Sequence, residues 1–350
     1  MANEIYKILI LRFSSLGDIV MTTAMIRCLR QQYPNAQIDM VVRSDYLDVI
    51  RHNPHLDQKI GLERGQGVSG LLSLLKRINR EGYDLVYDAH RSLRTRFLMP
   101  KIQATHKAYF EKHYIARSLA LTFKFPPLKD RTRTLERTCQ PLEPYGVKYD
   151  GGGPEMFLPP GLVASLEERF APSSKPTLGF IPSAQWPGKR WPANYFRSVL
   201  EQVIEKTPWQ VIVFGGPGDQ FCQEITQGFS EQRVMNVQGK LNLMESSALL
   251  LRCQLVLAND TGLMHIADAL DIPSVLMLGP TSGELGCLPY HPLSHVLEQE
   301  LWCRPCSKNG QGICIRGRRV CLEGISPSEA MNAVQKVMRH SRETNGEASL

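Results

Sequence analysis

Residues Leu255 to Ser282 read LVLANDTGLMHIADALDIPSVLMLGPTS, and the order of residue types in this stretch decides the fold. Leu255–Ala258 is a short apolar strand that runs into the polar turn Asn259-Asp260-Thr261-Gly262; a helix follows, and Ile272–Leu278 is a second strand. This is a βαβ unit, and its turn is an anion site. The first N–H groups of a helix have no backbone partner, and the helix dipole adds roughly half a positive charge there. Taken alone this could be any βαβ unit; His265, one turn into the helix, Gly279-Pro280-Thr281, after the second strand, and a counterpart near the N-terminus make it specific.

The chain has 350 residues, enough for about two domains at roughly 150 residues each. Its composition is that of an ordinary globular protein with a good core. The first apolar run, Ile8-Leu9-Ile10-Leu11, is broken by Arg12 and followed by Ser14-Ser15-Leu16-Gly17-Asp18, so it has neither the length nor the cleavage site of a signal peptide. No run approaches the ~20 apolar residues of a membrane span. A cytoplasmic protein, at most peripheral to a membrane, is expected. The net charge of +7 is uneven: from His90 to Gln140 there are twelve Lys or Arg against three acidic residues. Such an excess suits an anionic partner such as nucleic acid, a membrane surface or an acidic glycan, or else a solvated helix face.

Strands are predicted at Lys7–Phe13, Gln37–Val42, Lys59–Leu62, Leu85–Asp88 and Lys107–Phe110, with helices between them at Asp18–Tyr33, Tyr46–His52, Val68–Arg80 and Leu93–Lys101. The second half repeats the alternation. Its strands are Thr177–Ile181, Gln210–Phe214, Val234–Val237, Leu255–Ala258 and Ser274–Leu278, separated by helices Ala193–Lys206, Gln220–Ser230, Met244–Leu251 and Gly262–Leu270. Two doubly wound α/β domains follow, 1–172 and 173–350, joined near Gly151–Pro160 and Ala171–Pro176. A C-terminal helix at about 326–340 can pack back on the N-terminal domain. Ligands of such sheets bind beyond the C-terminal strand ends, so the expected site is an interdomain cleft.

Several motifs lie at those strand ends. Asp18 stands where a helix start favours a carboxylate, and where one could also accept a proton from a substrate hydroxyl. Lys189 and Arg190 lie between Trp186 and Trp191; they could clamp a diphosphate or simply shield indole rings. In Phe214-Gly215-Gly216-Pro217-Gly218-Asp219 the glycines admit a close ligand and Asp219 could hold ribose hydroxyls. This is not the dinucleotide G-x-G-x-x-G after the first strand, which argues against a nicotinamide enzyme. Five cysteines, Cys28, Cys139, Cys222, Cys253 and Cys287, are scattered and read as core residues. Cys303, Cys306, Cys314 and Cys321 have the spacing C-x2-C-x7-C-x6-C, which suits a structural zinc or iron site, with reduced thiols or a redox pair as the other reading. The cations of that loop, Arg304, Lys308, Arg316, Arg318 and Arg319, could stabilise thiolates or meet an anionic substrate.

Taken together, Ser15-Leu16-Gly17-Asp18, Lys189-Arg190-Trp191-Pro192, Phe214-Gly215-Gly216, Gly239-Lys240-Leu241 and Asp260-Thr261-Gly262-Leu263-Met264-His265 resemble the motifs of glycosyltransferase family 9, which includes the ADP-heptose:lipopolysaccharide heptosyltransferases. The likeness runs from about residue 7 to residue 335. The four-cysteine loop is not shared by the best-known members, so no role for it comes from them.

The resemblance implies a GT-B fold, two Rossmann-like doubly wound domains facing across a cleft, with acceptor on the first and nucleotide sugar on the second. It implies inverting transfer without a catalytic metal or other cofactor. Asp18 would be the base on the acceptor hydroxyl. Lys189, Thr261, Gly262 and Leu263 would take the leaving diphosphate, with His265 adding a hydrogen bond. Asp260 would orient Lys189, Asp219 would hold the ribose and Leu241 would lie against the base. The expected partners are ADP-heptose and the anionic inner core of lipopolysaccharide at the cytoplasmic face of the inner membrane, met by Arg91, Arg94, Lys107, Lys112 and Arg117. Rival readings are another sugar nucleotide or a protein acceptor on the same fold, and a sugar-nucleotide epimerase, which the basic acceptor side disfavours. A non-catalytic, metal-loop nucleic-acid binder is a further rival, but no base-stacking aromatic series or nucleic-acid module accompanies the charges.

Overall fold

The computed structural model describes residues 4–111, 134–170, 175–283, 288–307 and 309–344. Two compact units divide between Phe157 and Leu158. In the N-terminal unit the elements are β1 (Lys7–Leu11), α1 (Leu16–Gln32), β2 (Gln37–Arg43), α2 (Leu47–Arg51), β3 (Lys59–Leu62), α3 (Gly67–Glu81), β4 (Leu85–Asp88), α4 (Leu93–Leu98), β5 (His106–Tyr109) and α5 (Thr134–Cys139). The C-terminal unit has α6 (Leu162–Arg169), β6 (Thr177–Ile181), α7 (Ala193–Lys206), β7 (Gln210–Val213), α8 (Phe221–Thr226), β8 (Val234–Asn236), α9 (Leu243–Leu250), β9 (Leu255–Asn259), α10 (Gly262–Ala269), β10 (Ser274–Leu278), β11 (His295–Glu298), α11 (Val320–Glu323) and α12 (Pro327–Thr344).

Each unit has one parallel sheet, ordered β3-β2-β1-β4-β5 in the first and β11-β10-β9-β6-β7-β8 in the second. Strands covered on both faces should be continuous apolar runs, and the central ones are: Ile8 to Leu11 and Leu255 to Ala258 are fully buried. In both sheets the order reverses at the first strand of the unit. The loops after β1 and β4, and those after β6 and β9, therefore flank the two switch points, where such sheets bind ligands.

Helix α3 shows how the sequence sets its packing. Leu71, Leu74 and Ile78 recur on one face and enter the core, and Gly82 ends the helix at φ +67°, a backbone conformation that favours glycine. Helix α12 begins with Ser326 and Glu329 in reciprocal hydrogen bonds, Glu329 Oε2 accepting from the Ser326 N–H at 2.7 Å and Ser326 Oγ from the Glu329 N–H at 3.2 Å. Its apolar stripe, Ala330, Met331, Val334, Val337 and Met338, is buried in the core of the C-terminal unit with Phe196, Val199 and Val203 of α7. This stripe lies against β9 and β10 of its own unit's sheet. Helix α6, which the sequence reading puts with the first half, packs on α9 and joins the second, with Arg169 paired to Glu245 at 3.2 Å. Strand β11, which was not predicted, is half-buried at a sheet edge and lacks the apolar run of the inner strands.

Candidate functional site

At the N-terminal switch point, β1 ends at Leu11 and the chain crosses to Ser15, the residue before α1. Asp18 lies in the first turn and reaches back. Its Oδ2 accepts from the Ser15 hydroxyl at 2.8 Å and the Ser15 N–H at 3.1 Å, while Oδ1 lies 2.6 Å from Arg12 Nη2. Arg12 is 7% exposed and also donates to the Ala89 carbonyl, which ties the loop after β1 to the loop after β4. Burial pushes the Asp18 carboxyl up, but the Arg12 guanidinium and the Ser15 hydrogen bonds outweigh it and hold the group at about 2. Asp18 is therefore an ionised acceptor with 38% of its side chain open to solvent.

Arg12, which sequence reasoning noted only as a break in an apolar run, is the residue that holds Asp18. A cation entering a buried strand end needs a carboxylate nearby, and that was the available signal. His90 and Asp88 complete this corner: the Phe13 N–H donates to His90 Nδ1 at 3.3 Å, and Asp88 Oδ1 accepts from the N–H groups of His90 and Arg91 at 3.0 and 2.7 Å. Of the predicted acceptor cations, Arg91 lies over the Tyr109 ring at 5.1 Å and Arg94 is exposed. Lys107 donates to the Met99 carbonyl at 2.9 Å. Lys112 and Arg117 lie outside the described residues.

At the C-terminal switch point the loop after β6 meets the loop after β9. Lys189 Nζ is 2.6 Å from Asp260 Oδ2, and the same oxygen accepts from the Thr281 hydroxyl at 3.2 Å. Both partners are largely covered, with side chains 14% and 5% exposed. Thr261, Gly262 and Leu263 form the half-buried start of α10, whose N-terminal N–H groups and dipole favour an anion beside that lysine. His265 is buried and interacts electrostatically with Asp268, which accepts from the N–H groups of Tyr290 and His291.

Trp191 fixes the lysine loop from below. Its backbone N–H donates to Asn259 Oδ1 at 3.0 Å, its indole N–H donates to the Ile325 carbonyl at 3.0 Å, and its ring is 2% exposed against Phe196. Trp191 is thus a core anchor for the loop that carries Lys189 and Arg190. Arg190 bonds the Ala184 carbonyl and lies 3.6 Å from Asp219, which accepts from the Ser183 hydroxyl at 2.6 Å and the Gly216 N–H at 2.8 Å. Leu241 is half-buried ahead of α9, next to Asn242, which caps that helix by accepting from the Glu245 N–H at 2.9 Å.

The four-cysteine loop joins this site. Cys306 and Ser307 donate their N–H groups to the Pro280 carbonyl at 3.0 and 3.3 Å, and the Arg304 guanidinium donates to the Gly279 and Thr281 carbonyls at 2.6 and 2.9 Å. Gly310 lies against Lys189: a Cβ on Gly310 would come within 2.6 Å of Lys189 Cγ, and one on Gly188 within 2.2 Å of the Gly310 oxygen. Cys303, Cys306, Cys314 and Cys321 are free thiols that line one cavity of about 420 Å³. Among the described residues, no three His, Cys, Asp or Glu side chains stand in an arrangement that would already hold a metal ion. No helix among the described residues is long and apolar enough to cross a membrane.

The pattern of Glycosyltransferase family 9 (heptosyltransferase) matches residues 71–313. The lipopolysaccharide heptosyltransferase 2 of Salmonella typhimurium is 27% identical over 357 residues, covering 95% of this chain and 98% of its own. A family 9 glycosyl transferase from Veillonella parvula shares the fold with a TM-score of 0.80 at 23% identity, over 97% of this chain and 99% of that one. An E. coli heptosyltransferase solved with ADP-2-deoxy-2-fluoro heptose does so with a TM-score of 0.66 at 18% identity, over 95% and 99%. With the GT-B fold and the two polar strand-end sites in place, these matches show that the chain is a glycosyltransferase belonging to family 9, the heptosyltransferase family.

Proposed function

We propose that this enzyme transfers a heptose from ADP-heptose to a hydroxyl of the lipopolysaccharide inner core with inversion at the anomeric carbon. The observation that carries the reading is the Lys189–Asp260 pair at the start of α10. Glycosyl transfer from a nucleoside diphosphate sugar builds negative charge on the leaving diphosphate as the anomeric C–O bond breaks. A covered lysine held by a carboxylate, beside unpaired helix N–H groups, offsets that charge without a divalent cation. The names of the relatives, a lipopolysaccharide heptosyltransferase and an enzyme bound to an ADP-heptose analogue, support this donor and acceptor.

In this reading the N-terminal unit binds the acceptor and the C-terminal unit the donor. The acceptor oxygen attacks the anomeric carbon from the face opposite the diphosphate and forms the new C–O bond. Its proton passes to Asp18, and ADP leaves with the bonding electrons. A carboxylate held at about 2 is a weak base toward a free alcohol, so the proton moves as the new bond forms and the hydroxyl becomes acidic. Asp260 keeps Lys189 aimed, His265 adds a donor to the diphosphate, Asp219 takes the ribose and Leu241 lies against adenine. Arg91 and Arg94 meet acceptor phosphates or carboxylates at the cytoplasmic face of the inner membrane. Thermal-shift titration with ADP-, UDP-, GDP- and CMP-sugars tests the donor: stabilisation by ADP-heptose is expected, and a response to a UDP-sugar alone would contradict it.

We further read Cys303, Cys306, Cys314 and Cys321 as a structural zinc or iron site. Four soft donors around one cavity fit that chemistry, and a bound ion would draw them closer than they stand. The ion would brace the loop behind Lys189 and take no part in transfer. Stoichiometric zinc or iron in the purified protein supports this; metal-free protein of unchanged thermal stability contradicts it.

A further inference from the structure

The outer side of the cysteine loop carries a feature that donor binding does not use. Ten large apolar side chains are exposed among the described residues, and three of them belong to this loop: Trp302 at 66%, Ile313 at 98% and Ile315 at 68%. All three line the mouth side of the same cavity that the four cysteines share, together with Arg316 and Arg318, so they are neighbours rather than scattered. Arg316 sits 6.0 Å from the centre of the Trp302 ring, and Arg318 and Arg319, two and three residues further on, are exposed. From Leu301 to Leu322 the sequence holds five Lys or Arg and no Asp or Glu. Arg304 is turned inward to the Gly279–Thr281 turn and to Glu298. Glu300 is exposed next to Trp302 and Glu323 accepts from the Arg319 N–H at the patch margins, so the outward positive charge is that of Arg316, Arg318 and Arg319.

We propose that Trp302, Ile313 and Ile315, with Arg316, Arg318 and Arg319, form a docking surface for an anionic phospholipid bilayer. Each residue type suits one depth of that interface. Indole rings settle at headgroup level, aliphatic side chains enter the acyl boundary, and arginines pair with anionic headgroups within about one Debye length of the surface. A second copy of the chain is the poorer occupant. A twofold contact lays a patch on itself and would set the three arginines against their own counterparts with no carboxylate in the loop to answer them. Bare phosphate ligands would leave an isoleucine at 98% exposure unused. The loop's inner side rests on Lys189 through Gly310, so docking would occur behind the donor site and leave it open. The proposal does not depend on which sugar is transferred.

Flotation of the full chain with vesicles free of any glycolipid tests this. Binding is expected to vesicles of phosphatidylglycerol and phosphatidylcholine but not to phosphatidylcholine alone, and to weaken with salt. Ile313→Ser with Ile315→Ser, and separately Arg316→Gln with Arg318→Gln and Arg319→Gln, should each lower partitioning at least about tenfold. Their melting temperatures should stay within a few degrees of wild type, since these side chains are exposed. Three results would overturn the proposal: no flotation of the wild type, flotation of the variants equal to wild type, or self-association of the wild type that the isoleucine variants abolish.

Discussion

The ammonium of Lys189 lies 2.6 Å from the Asp260 carboxylate, and Thr281 donates to the same oxygen. Asp260 is 5% exposed, so removing the lysine alone strands a buried charge. Lys189→Met is expected to destabilise the protein by about 3–5 kcal/mol and to weaken ADP binding by roughly 10- to 100-fold. Adding Asp260→Asn should recover most of the stability and none of the ADP affinity. Chemical denaturation and calorimetric titration separate the two effects; recovery of both would make the pair purely structural.

Arg12 controls the state of Asp18. With the carboxyl at about 2, activity should show no acid limb from this group between roughly pH 5 and 8. Arg12→Gln removes a lowering influence and leaves burial, which raises the group, so an acid limb should move up into the measurable range. The profile of kcat/KM against pH reads this. An unchanged profile in Arg12→Gln would mean that Asp18 is not the group whose ionisation limits the reaction.

Gly310 has φ +79° and faces Lys189 Cγ at a distance that leaves no room for a methyl group. Gly310→Ala should cost about 1–2 kcal/mol in backbone strain and displace the lysine. The expected kinetic result is a donor KM raised about three- to tenfold with a smaller change in kcat. An unaltered KM would show that the cysteine loop does not position Lys189.

Much of this architecture is legible in residue order. The inner strands are apolar runs bounded by polar Gly or Pro turns, and Thr177–Ile181 and Ser274–Leu278 coincide with their predicted limits. Asp260-Thr261-Gly262 could be read as a helix-start anion site because N–H groups, dipole and glycine are local features. Contacts between loops distant in sequence were not legible. Nothing near Lys189 announces Gly310, which a loop more than 100 residues later brings against it, whereas Arg12 lies six residues from Asp18 and the lone cation at a buried strand end was the signal for that pair. Strand β11 escaped because an edge strand with only one neighbour, HVLE here, needs no apolar run. The helix α5 and the turn at Gln140–Tyr145 are too short for a clear 3.6-residue period.

The central claim is that Asp18 accepts the acceptor proton while a separate set of residues holds the nucleotide. The most direct measurement pairs turnover with ADP binding in Asp18→Asn, which preserves shape and removes charge. The account predicts a fall in kcat of about 10²-fold or more with the dissociation constant for ADP within about twofold of wild type. Retained turnover would remove Asp18 from the chemistry, and a parallel loss of ADP binding would place it in the donor site instead.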